Sequence, residues 1–76
     1  MLRKSPVLQD TQWMLGHMLQ HVAGRRALVS ELTRWVNAYL LTTDIDPLDE
    51  EQVAAALRLG VQFEELAPGL WRLKAS

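Results

Sequence analysis

The stretch LDEEQVAAALRLGVQFEELAPGLWRLK, residues 48–74, decides the fold class. Its first half carries both end signals of a helix. Asp49 and Gln52 fit the N-cap and N3 positions of a capping box, and Leu48 and Val53 fit the hydrophobic staple around it. Gly60 closes the far end. Carboxylates at Asp49, Glu50 and Glu51 suit the first turn, where the helix dipole favours each by about 0.3–1 kcal/mol. The second half alternates instead. Val61 and Phe63 interleave with Gln62 and Glu64, and Trp71 and Leu73 with Arg72 and Lys74, around the turn APG. A two-residue loop pairs Phe63 with Lys74 and splits the apolar face. A three-residue loop at 67–69 pairs Phe63 with Leu73 and Glu64 with Arg72, which is coherent. Pro68 fits the standard three-residue turn poorly, so the loop type stays open.

Two more helices precede this unit. Ser5 is a good N-cap and Pro6 a good first helical residue. Val7, Leu8, Met14, Leu15, Met18, Leu19 and Val22 fall within an arc of about 140°, a core-facing stripe, and Gly24 stops the helix. The next stripe is Leu32, Trp35, Val36, Tyr39 and Leu40. Its start has two readings: Ser30 caps a helix from Glu31 and leaves 27–29 as a short strand, or one helix runs from about residue 26. Periodicity alone does not choose. The expected fold is α+β, mostly α: three helices and a C-terminal hairpin in one domain over 1–76, with 1–5 as an arm.

At 76 residues, a single small core has to hold the chain without disulfides, for there is no cysteine. The net charge of −1 conceals a polarised chain. Asp44, Asp46, Asp49, Glu50 and Glu51 put five of the nine acids within eight residues, leaving eight bases against four acids elsewhere. The start MLRKSPVLQD lacks the apolar run of a secretory signal, and nothing approaches the length of a membrane span. A soluble, cytoplasmic protein is the expectation.

Little here suggests catalysis. In HMLQH, His17 and His21 stand at the i,i+4 spacing that can chelate zinc. The motif lacks the glutamate of H-E-x-x-H, and Asp10 is two turns from His17, so surface histidines are the simpler reading. No cofactor or metal is expected. No nucleophile stands with a base, and Glu64 and Glu65, adjacent in a strand, face opposite ways. An enzyme is not expected. Trp13 is the more informative residue: it lies off the apolar stripe, in line with Asp10, His17 and His21. Such an aromatic marks a contact surface, unless the hairpin or the N-terminal arm covers it.

The order of elements in ALVSELTRWVNAYL (27–40), DEEQVAAALRLG (49–60) and VQFEELAPGLWRLK (61–74) resembles the winged helix-turn-helix superfamily over roughly residues 10–74. The resemblance implies a third helix that enters the DNA major groove and a hairpin wing beside it. Several features depart from that pattern. TTDIDPL is longer than the usual 3–4-residue turn between the two helices. The outward residues of the third helix are Glu51, Gln52, Ala55 and Arg58, of which only Gln52 and Arg58 suit base reading. The wing tip offers Glu64, Glu65 and APG, and carboxylates near phosphate weaken the electrostatic part of binding. The expectation is therefore a protein-interaction or regulatory module, contacting a protein partner or a second copy. Its candidate residues are Trp13, His17, Asp44, Asp46 and Glu50. The alternative is a DNA-binding regulator using Arg25, Arg26, Arg34, Arg58, Arg72 and Lys74.

Overall fold

The computed structural model of the chain describes residues 7–74. Its helices are α1 (Leu8–His21), α2 (Val29–Leu40) and α3 (Glu50–Leu59), and its strands are β1 (Arg26–Leu28), β2 (Phe63–Ala67) and β3 (Leu70–Leu73). The described residues make an α+β, mostly α fold.

Helix α3 has the expected boundaries. The Asp49 carboxylate accepts from the Gln52 N–H at 2.8 Å, and the Gln52 side-chain oxygen accepts from the Asp49 N–H at 2.9 Å. Leu48 and Val53 are buried together beneath this box. Gly60 ends the helix at an ordinary backbone angle (φ −90°), so its need for glycine is steric. A Cβ there would stand 2.6 Å from Cδ2 of the Phe63 ring. The close approach turns the chain directly from α3 into β2.

The three strands form an antiparallel sheet in the order β1-β3-β2. Phe63 pairs with Leu73 and Glu64 with Arg72, the coherent register. It is reached by a route other than a three-residue loop. Ala67 pairs with Leu70 across the two-residue turn Pro68-Gly69, and a bulge between Glu65 and Ala67 shifts the register back by one. Gly69 takes φ +81°, a left-handed conformation that glycine adopts without steric cost. Val61, expected on the inner face of the hairpin, precedes β2 and is 85% exposed.

The uncertain segment ahead of α2 is a strand, one residue earlier than expected. Gly24 (φ +77°) and Arg25 (φ +54°) reverse the chain after α1. Arg26, Ala27 and Leu28 then pair with Arg72, Trp71 and Leu70, and the Val29 N–H donates to the Gly69 carbonyl at 2.8 Å. The open edge of β3 is what favours a strand over another helical turn. Helix α2 therefore starts at Val29, and Ser30 lies inside it rather than capping it. The Glu31 carboxylate takes up the Leu28 N–H at 2.9 Å.

Helix α1 starts at Leu8, with Val7 extended before it, later than the expected cap at Ser5. Ser5, Pro6 and the arm at 1–5 lie outside the described residues. Val7 and Leu8 are exposed; the buried face of α1 begins at Thr11 and continues through Met14, Leu15 and Leu19. Met14, Leu15 and Leu19 join Leu32, Val36, Leu40, Val53, Leu57, Phe63 and Trp71 in one cluster, with Met18, Val22, Trp35 and Leu73 partly buried against it. Tyr39, expected in the α2 stripe, is 56% exposed. The Gln12 side-chain amide donates to the Ala56 carbonyl at 3.0 Å, tying α1 to α3.

Between α2 and α3 the chain is fastened by Asn37. Its side-chain NH2 donates to the Leu48 carbonyl and its oxygen accepts from the Leu48 N–H, both at 2.8 Å. The amide thus pairs with the connection as a neighbouring strand would. This bond fixes Leu48, and through it the start of α3.

Candidate contact surface

Trp13 projects from α1 on the edge away from the core, 68% exposed. Its ring stacks on His17, with centroids 5.3 Å apart and planes within 8°. His17 in turn meets His21 at 4.5 Å, tilted by 48°. Spacing of four residues on one helix produces this ladder. A carbonyl oxygen only accepts, so the 2.8 Å contact between His21 Nδ1 and the His17 carbonyl identifies Nδ1 as the protonated nitrogen.

Trp13 is a ridge between shallow clefts. Toward α2, one cleft of ≈ 240 Å³ is lined by Trp13, Met14, His17, Met18 and Tyr39. A second, of ≈ 200 Å³, adds Asp10, Leu40, Thr43 and Ile45. On the other flank, Trp13 and His17 share a cleft with Gln62 and Leu73 from the hairpin side. The hairpin therefore borders Trp13 without covering it. The α2 side is the apolar one, because thioether and aromatic groups dominate its walls.

The expected contact residues divide in two. Trp13 and His17 come together, and Asp44 and Asp46 flank Ile45, which lines the second cleft. Asp44 is exposed and Asp46 half-buried. Glu50 belongs elsewhere: with Glu51, Val29, Ala54, Ala55 and Arg58 it lines a separate cleft on α3. Tyr39, assigned to the core by its place in the apolar stripe, instead stands exposed at the Trp13 surface, while Met14, in the core as expected, and Met18, packed against it, line the same cleft. Periodicity reports which way a side chain points, but not how far the neighbouring element reaches over it.

The bases are likewise divided. Arg26 and Arg72 are direct cross-strand partners, both exposed, and Lys74, also exposed, follows the end of β3. Arg72 is engaged with Glu64 at 3.2 Å. Arg58 lines the cleft that holds Glu50 and Glu51. Arg34 is exposed on α2, and Arg25 sits in the turn before β1. Among the described residues no group of three or more His, Cys, Asp or Glu side chains is placed to hold a metal ion. No described helix is long and apolar enough to cross a membrane. No protein-family model, curated protein or solved structure matches the chain.

Proposed function

We propose that this chain is a small interaction module that engages a protein partner, or a second copy of itself, through the Trp13 face of α1. The observation that carries the reading is Trp13 itself: a 68% exposed indole, held by stacking on His17 and continuous with Met14, Met18 and Tyr39. Aromatic and methionine side chains are the residues enriched in interface cores. The stack also limits the entropy lost when a partner immobilises the indole.

The strand order β1-β3-β2 around α2 and α3 supports a winged-helix-like reading of the architecture, and with it the question of DNA. The paired Arg26 and Arg72 favour an anionic partner at the sheet. Three features weigh against DNA. Glu64 neutralises Arg72, Glu50 and Glu51 share the cleft of Arg58, and nine residues (41–49) separate α2 from α3. Protein contact is the reading we adopt.

The test is Trp13→Ala in the full chain. An exposed indole contributes little to the core, so the thermal midpoint should change little. Partner capture from the native cell extract, or self-association measured by sedimentation, should weaken by about 2 kcal/mol or more, roughly 30-fold. Unchanged capture and unchanged sedimentation together would refute the assignment of this face.

A further inference from the structure

We propose that His17 and His21 are half of a zinc site, completed by the same two histidines of a second copy. Four imidazole nitrogens would then surround one ion, the tetrahedral arrangement zinc adopts in closed sites. The inference goes beyond the Trp13 reading: it uses the same edge of α1 but different ligating groups.

Three observations carry it. First, the rings are spaced for chelation. With Zn–N bonds of 2.0–2.1 Å, two imidazoles on adjacent tetrahedral positions have centroids roughly 5 Å apart. His17 and His21 stand at 4.5 Å, so a small opening of the pair admits an ion. Second, the His21 ring is already oriented for ligation. Its Nδ1 faces the His17 carbonyl at 2.8 Å and donates to it, which leaves Nε2 as the nitrogen available to a metal. A backbone carbonyl in this role is how metal-bound histidines are commonly oriented. Third, the Trp13 stack restrains the His17 ring, so less freedom is lost when it coordinates.

Within one copy the site is incomplete, because no third ligand stands near the pair among the described residues. A two-fold axis through the metal supplies the missing pair from an identical surface. It also brings each Trp13, one turn from His17, toward the facing α1. Zinc binding would then be coupled to the burial of the exposed indole.

The experiment is sedimentation of the full chain, first with chelator and then with half an equivalent of zinc. The expected result is a doubling of mass with one zinc per two chains, and a dimer dissociation constant lowered about 100-fold or more. His17→Ala and His21→Ala should each abolish the response while leaving the thermal midpoint unchanged, since both rings are exposed. Three results would overturn the site: no mass change with zinc, zinc-dependent dimerisation retained in the double histidine variant, or a dimer indifferent to chelator. Trp13→Ala separates this from the interaction reading. Loss of partner capture in chelator, with no zinc response in the wild type, would retain the Trp13 face and remove the zinc site. A zinc dimer formed equally by wild type and Trp13→Ala, with partner capture also unchanged by the substitution, would do the reverse.

Discussion

Asn37 offers the sharpest test of how the helices are held in register. Its amide makes two 2.8 Å bonds to the backbone of Leu48, eleven residues away. Each such bond is worth about 0.5–1.5 kcal/mol net, so Asn37→Ala should cost about 1–3 kcal/mol. Full loss is not expected at each bond, because the site is only half-buried and water can reach part of it. Asn37→Asp is the decisive comparison. The carboxylate keeps the shape and can still accept from the Leu48 N–H. It cannot donate to the Leu48 carbonyl, and it sets two oxygens against each other. It also places negative charge near the C-terminal end of α2, unfavourable by about 0.3–1 kcal/mol. At neutral pH, Asn37→Asp should therefore be at least as destabilising as Asn37→Ala. Urea denaturation followed by tryptophan fluorescence gives both midpoints, with an unchanged slope as the check that unfolding remains two-state. An aspartate variant as stable as wild type would show that donation to Leu48 contributes nothing, and the reasoning would fail.

Three further predictions concern the cap, the close contact and the alternative partner. Asp49→Ala should lower stability by about 0.5–2 kcal/mol in the same titration, through loss of the capping box. Gly60→Ala should cost about 1–3 kcal/mol by forcing the Phe63 ring aside. Combined with Phe63→Leu the loss should be less than additive, and strict additivity would dissociate Gly60 from Phe63. Random duplex DNA, titrated by fluorescence anisotropy at about 150 mM salt, should bind no tighter than the micromolar range; sequence-selective nanomolar binding would favour the DNA reading.

What the sequence makes legible here follows the range of the interactions involved. The capping box of α3 spans four residues and is read directly. The Phe63–Leu73 register is read too, because only that pairing keeps the apolar face whole. The means of reaching it is hidden, since a bulge at Leu66 and an extra loop residue change the register by the same single step. The strand Arg26–Leu28 depends on the free edge of β3, more than forty positions away, so no local pattern could settle it. The Asn37 bond to Leu48 is hidden for a related reason: an asparagine on a helix looks solvated until the connection folds back over it. Val7, Leu8, Tyr39 and Val61 show the converse error, in which apolar phase is mistaken for coverage.

Exposed apolar side chains alone would not single out the Trp13 face, since Leu28, Leu41, Leu59 and Val61 are also exposed. Isolated residues of this kind are normal on a protein surface and need no function. Trp13 differs in its surroundings. It borders three clefts, and on the α2 side it shares cleft walls with exposed Tyr39, half-buried Met18 and the edge of the core residue Met14. The acids divide by the same test. Asp49 is used by the cap, Glu50 and Glu51 share a cleft with Arg58, and the acids whose position folding does not explain lie beside this surface. Asp10 lines the second cleft, while the exposed Asp44 directly precedes Ile45, another of its lining residues. An apolar centre with carboxylates at its margin is the arrangement that excludes an acidic partner and steers a basic one. The acidic block that weighs against DNA at α3 thus becomes, at Asp44, part of the case for a protein at α1.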